Sequence, residues 1–390
     1  MRRFILASFV VLAVGCGGAA PIELHERLDV DDLPPVDVHV RVQPEHRRDA
    51  DRYLHAAVAT LRTCEEWLGP FPHPSLTVID PGRQASTTSA GDAVVLERTP
   101  WWSTPHALTA EMVTARGVSR RYWSDLFQAG ARPPPFVDAL AEYTARRAVV
   151  SLFGELNNPP GYAFLEARYF GGLVPRFVRV RRLPETDGAS NALLALGTLE
   201  RWLSRPVFDQ AVPEFVRSSR GAAPTLDDFE RVASNVSGQN LSWFFDQTLR
   251  STAAIDYGIA RLTSERQPDS SYLTTIVARR YGDGVFTGTS APRFGSFESG
   301  RGMTLRMTFA DGPPISDRWD GRDREKTFSY RSPAAAVSAE IDPEHLVLLD
   351  RRRTNNSRTL VSHGAAAATR WAGRWMIWMQ DLVLTYASLV

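Results

Sequence analysis

Val36-Asp37-Val38-His39-Val40-Arg41-Val42 alternates apolar and polar residues with period two, which predicts a strand with one buried face. From Asp49 to Trp67 the spacing turns helical, through Tyr53, Ala57, Leu61 and Cys64, and Gly69, Pro70 and Pro72 mark its end. Ser75 to Asp80 and Asp92 to Glu97 read as further short strands. Helical patterns then run over Thr104–Phe127 and Phe136–Phe153, separated by Arg132-Pro133-Pro134-Pro135, which forces an extended break. Gly188–Ser204, Val207–Arg217, Thr225–Val236 and Leu241–Arg250 complete a helical lobe, with Thr225 and Asp227 at a helix start. Between Asp256 and Asp350 the pattern returns to alternation and Gly-rich turns. Its clearest strands are Leu273–Ala278, Met303–Phe309 and Val337–Ile341, which predict a small β-sandwich at 256–357.

The two ends follow other patterns. Met1-Arg2-Arg3 is a short positive region, Phe4 to Gly15 is apolar, and Ala13-Val14-Gly15-Cys16-Gly17-Gly18 closes it with small residues. That is the layout of a secretory signal. Cys16 at the cleavage point resembles a bacterial lipobox, with leucine one place earlier than usual, so 1–16 is expected to be a lipoprotein signal and Cys16 the acylated residue. Residues 17–35, with charges and Pro34-Pro35, are expected to be a linker. At the other end, Trp371, Trp375, Trp378, Leu382 and Leu389 share one side of a helix over 370–390, while Arg370, Arg374 and Asp381 interrupt the other. Such a helix suits a lipid interface rather than a span, because charges do not sit well across a bilayer. A helix docked on its own β-domain or on a partner is the alternative.

Composition changes this picture little. The 390-residue chain has a formal charge of +1, which gives no general reason to expect nucleic acid as a partner. Its two cysteines, Cys16 and Cys64, leave Cys64 alone once the first is lipidated, and a lone helical cysteine is most often a small core residue. The expected location is the bacterial cell envelope, with the chain anchored in the membrane and facing the periplasm or exterior.

The chemistry is carried by Thr114-Ala115-Arg116-Gly117-Val118-Ser119-Arg120-Arg121-Tyr122-Trp123-Ser124-Asp125 and by Phe136-Val137-Asp138-Ala139-Leu140-Ala141-Glu142-Tyr143. Together they resemble the zinc site of the aminopeptidase N family of gluzincins, which reads roughly A-H-E-x-x-H-Q-Y-W-G-D and then W-L-x-E-G-x-A-E-Y. Thr225-Leu226-Asp227-Asp228-Phe229 and Ser237-Gly238-Gln239-Asn240-Leu241-Ser242-Trp243-Phe244-Phe245-Asp246-Gln247 resemble a second helical segment of that family. Trp319-Asp320-Gly321, Ile341-Asp342-Pro343 and Leu349-Asp350 with Asn355-Asn356-Ser357 resemble the β-rich end of bacterial relatives. The resemblance implies an α+β fold: a thermolysin-like gluzincin domain at 36–252, with a small sheet and a helical lobe, then the β-sandwich and the C-terminal amphipathic helix.

It implies equally that the catalytic groups are gone. Two histidines four residues apart on a helix share a tetrahedral zinc, and the glutamate between them takes a proton from the metal-bound water. Arg116, Gly117 and Arg120 occupy those positions. A guanidinium has no lone pair for a metal and stays charged. The third ligand falls on Asp138 or Ala139, depending on the side from which the motif is aligned. The family's Y-x-K-G corresponds best to Glu185-Thr186-Asp187-Gly188, and no Met-Glu pair stands near Ser89 to Val94.

The resulting expectation is a pseudopeptidase without a metal or other cofactor, acting by peptide or protein binding, with Arg116, Arg120 and Glu142 as candidate binding residues. Three roles stand open for the two arginines: solvated helix residues, members of an ion network with Asp138 and Glu142, or a fork for an anion or a peptide carboxylate. The alternatives for the whole chain are a zinc peptidase with a rebuilt site, drawing on His106, Glu111, Asp138 and Glu142, and a structural component of envelope assemblies.

Overall fold

The computed structural model describes residues 20–82, 93–97, 109–127, 134–153, 188–286 and 302–360, together with separate helical positions between 369 and 383. The leader with Cys16, and also His106 and Glu185, lie outside the described residues. The chain divides into two compact units: 1–196 with 209–232, and 197–208 with 233–390.

The first unit opens with a sheet in the order β1-β2-β3-β4, formed by β1 (Ile22–Leu28), β2 (Val36–Val42), β3 (Ser75–Ile79) and β4 (Val94–Val95). β1 pairs antiparallel with β2, and the other two pairs are parallel. β1 corrects the sequence reading, which placed a linker over these residues: Leu24 and Leu28 are buried while Glu23, His25 and Arg27 face water. An outer strand with charges on its open face is hard to tell from a polar tether. In β2 the alternation holds as read, with Val36, Val38, Val40 and Val42 buried.

Against this sheet lies α1 (Ala50–Leu68), which buries Tyr53, Leu54, Ala57, Leu61 and Cys64 and ends at Gly69, whose φ of 104° only glycine adopts freely. α2 (Thr109–Leu126) and α3 (Pro135–Phe153) pack on α1 and on each other. Small residues, Ala115 and Ala145, sit with Met112 and Val149 in the α2–α3 seam. The Trp123 indole donates to Thr144 Oγ1 at 3.0 Å across the same seam. Phe127 and Phe136 then join Phe215 and Phe229 in one aromatic cluster. The last two come from α5 (Arg205–Ser219) and α6 (Leu226–Ser237), which follow α4 (Gly188–Leu203) in the chain.

The second unit holds two antiparallel sheets, β5-β6-β9 and β11-β10-β7-β8, and β5 and β6 lie against β10. Their strands are β5 (Tyr257–Arg266), β6 (Tyr272–Arg280), β7 (Met303–Phe309), β8 (Ile315–Trp319), β9 (Glu325–Ser332), β10 (Ala336–Ile341) and β11 (Ser357–Thr359). The run beginning at Gly238 acts as a packing motif. Gly238 turns with φ 64°, α7 (Ser242–Thr248) buries Phe244 and Phe245, and Trp202 packs edge-on to Trp243 and Phe286. Gln239 accepts from the Trp202 indole at 3.2 Å, and Gln247 accepts from Val285 N at 3.0 Å.

Carboxylates tie the loop after β10. Asp342 accepts from the Leu346 and Val347 amides at 2.8 and 2.9 Å, and Leu348 N donates to Thr198 Oγ1 at 3.0 Å. Asp350 accepts from Arg352 N and from the Asn356 amide, each at 3.0 Å. The Arg280 guanidinium, by contrast, is buried among main-chain oxygens: it donates to Gly321 O at 2.9 Å, Gly282 O at 2.7 Å and Asp283 O at 3.2 Å.

Candidate functional site

α2 carries Arg116, Gly117 and Arg120, and each meets a different neighbour. Arg116 aims its fork at Glu142 on α3, with Nε to Oε2 at 2.8 Å and Nη2 to Oε1 at 2.9 Å. Both side chains are about 15% exposed, and Arg146 adds a second guanidinium to Glu142 Oε1 at 3.3 Å. Of the two carboxylates that the sequence offered as partners, Glu142 is the one that Arg116 grips with its fork. Two-point pairing of this kind fixes orientation as well as charge.

Gly117 faces β4. A Cβ placed there would lie 2.8 Å from Val94 Cγ1 and 3.0 Å from Leu96 Cδ2. Glycine in a helix interior costs about 1 kcal/mol relative to alanine, and here it permits the helix to approach the strand. Val94 and Leu96, both buried, fill the space beside the helix.

Arg120, one turn later, is half-exposed and donates from Nη1 to Glu97 Oε1 at 2.6 Å. Ala93, Val94, Val95, Val113, Gly117, Arg120 and Arg121 line, with Glu97, a cleft of about 220 Å³ between β4 and α2. Arg121 is engaged with Asp125 at 2.5 Å, and His73 Nε2 lies 3.2 Å from the same carboxylate.

Asp138, on the first turn of α3, is half-buried. Glu111, a candidate for a rebuilt site, is held by Arg52 at 2.8 and 2.7 Å, and Arg52 also reaches Asp49 at 2.8 Å, so the Glu111 carboxylate serves a partly buried ion pair. Among the described residues no group of three or more His, Cys, Asp or Glu side chains is placed to hold a metal ion. Guanidinium at 116 and 120 and no side chain at 117 do not fit the zinc ion that the motif resemblance implies.

Behind α2, burial dominates. Tyr122 donates from its hydroxyl to Gly69 O. Burial pushes the Tyr122 phenol, the Cys64 thiol and the Glu65 carboxyl up from their ordinary values. Glu65 Oε1 accepts from Phe71 N at 3.2 Å, and its other oxygen has no partner among the described residues.

Glu97 and Arg146 escaped the sequence reading. Arg146 was detectable, since it stands four residues from Glu142 on one helix face. Glu97 was not, because only folding brings its strand end beside α2.

The sequence matches no protein-family model and no curated protein. In the solved structures, the chain resembles the crystal structure of Legionella pneumophila aminopeptidase A in complex with aspartic acid, with a TM-score of 0.53 and 14% identity. The fold is peptidase-like. The match covers 85% of this chain and 38% of that one, so the chain spans well under half the length of the enzyme it resembles.

Proposed function

We propose that this chain is a non-catalytic relative of the aminopeptidase N-like gluzincins, a lipoprotein of the bacterial cell envelope that works by binding a peptide or a protein. The observation that carries the reading is the Arg116–Glu142 pair: where the resemblance seats the first zinc histidine, a guanidinium is fastened to the neighbouring helix by 2.8 and 2.9 Å hydrogen bonds. A positive charge thus joins α2 to α3 without a metal. With Gly117 in the general-base position, hydrolysis by a zinc-activated water has neither its ion nor its base.

Membrane attachment belongs to the same proposal and rests on Cys16 and on the C-terminal segment. At the described helical positions Trp375, Met376, Met379 and Val383 are exposed, and tryptophan on one helix side suits a lipid interface. Among the described residues no helix is long and apolar enough to cross a membrane.

Two measurements test the reading. Protein purified without a metal-binding tag is expected to hold far less than one zinc per chain and to show no chelator-sensitive cleavage of aminoacyl or peptide substrates. Stoichiometric zinc with chelator-sensitive turnover would overturn it. Membrane retention is expected to fall in Cys16→Ser and to fall further when 370–390 are also deleted.

A further inference from the structure

Resting on the reading that the chain acts by binding, we propose that the cleft between β4 and α2 takes a carboxylate attached to an apolar residue, as at the carboxyl end of a peptide, through the guanidinium of Arg120. The cleft has an apolar floor, Ala93, Val94, Val95 and Val113 with Gly117, and a charged mouth formed by Arg120 and Glu97. Its volume of about 220 Å³ lies below the roughly 300 Å³ at which drug-sized pockets begin, so it has room for one residue rather than a buried oligopeptide.

Arg120 is the group at this mouth with donors to spare. Among the described residues its guanidinium makes one hydrogen bond, from Nη1 to Glu97 at 2.6 Å, which leaves Nε and Nη2 as a fork of the kind that matches a carboxylate at two points. Glu97 holds the side chain over the cleft without using that edge. Both partners are half-exposed, so their pair is weak and its disturbance by a ligand costs little. Arg116 plays no part in this site, because its fork already belongs to Glu142. Arg121 lines the cleft wall with its charge balanced by Asp125, which holds its Nε.

The test uses the whole chain and saturation-transfer NMR titration with four probes: N-acetyl-leucine, N-acetyl-leucinamide, leucinamide and free leucine. N-acetyl-leucine is expected to bind and N-acetyl-leucinamide to bind at least about tenfold more weakly, the scale of a lost charge-assisted hydrogen bond. Arg120→Gln is expected to remove that difference, and Arg120→Lys to restore part of it. The substitutions lie at a half-exposed position, so folding is not at stake.

Equal binding of acid and amide, or an effect of N-acetyl-leucine that survives Arg120→Gln, would overturn the proposal. Free leucine binding more tightly than N-acetyl-leucine would overturn the peptide source. Preference for leucinamide would sink the carboxylate assignment while leaving a binding protein in place, whereas zinc-dependent turnover would remove the non-catalytic reading itself.

Discussion

Arg116 and Glu142, 26 residues apart in sequence, face each other across α2 and α3 as a fork on a carboxylate. Breaking one partner leaves the other charged and mostly buried, which in a fully dry interior costs about 3–5 kcal/mol. The residual exposure of both side chains lowers the expectation for Glu142→Ala to about 2 kcal/mol in urea unfolding. The double change Arg116→Met with Glu142→Leu is expected to cost less than the single one, because the Arg116 charge leaves together with its carboxylate and only Arg146 still loses its contact with Glu142. A double variant weaker than Glu142→Ala would show that the pair contributes by attraction alone.

Introducing an H-E-x-x-H motif into α2 is expected to fail for want of space. Gly117→Ala should destabilise despite its better helix propensity, since the added carbon meets Val94 and Leu96, and overpacking costs about 1–3 kcal/mol. Val94→Ala is expected to relieve part of that loss. The triple change Arg116→His, Gly117→Glu, Arg120→His is expected not to hold stoichiometric zinc, as read by metal analysis of the dialysed protein.

Asp342 sets a pH dependence of unusual sign. Burial pushes its carboxyl up to about 6, against the hold of the Leu346 and Val347 amides. A raised folded value means that the folded chain binds the extra proton between about pH 4 and 6, so stability is full below that window and is lost as pH rises through it. The loss is up to about 3 kcal/mol between pH 4 and 7. Asp342→Asn is expected to flatten this slope, leaving the smaller part due to Asp350, whose carboxyl burial also raises. Chemical unfolding at several pH values checks it, and equal slopes in both proteins would reject it.

Cys64 is fully buried and its thiol is pushed up by desolvation. In a Cys16→Ser background it is therefore expected to resist alkylation in the native state and to react at once in denaturant, with mass spectrometry as the readout. Rapid native labelling would mean that α1 opens locally.

Much of this architecture is legible in the sequence where one periodicity dominates. The helices of α1, α3, α5 and α6 begin and end within a few residues of their patterns, and β7 runs over Met303–Phe309 as read. β1 was hidden because Glu23, His25 and Arg27 all face water, and β8 because Ile315, Ser316 and Asp317 are exposed on an outer strand. At the site, the residue types were readable and their arrangement was not. Arg116 and Arg120 stand where the motif resemblance would seat histidines, yet nothing local tells that one is bound to α3 and the other stands over a cleft with Glu97. Gly117 looked like a bare defect in a helix, and its packing against Val94 and Leu96 depends on a strand pairing that periodicity does not encode.

The turn gripped by Arg280 follows a different logic from the Asp342 loop. Every hydrogen bond of that guanidinium named above ends on a peptide oxygen, and peptide oxygens take up no proton in ordinary buffers. Protonation therefore leaves the bonds of this clasp untouched, whereas the loop after β10 hangs on Asp342 and Asp350, two carboxyls that burial makes readier to take up a proton.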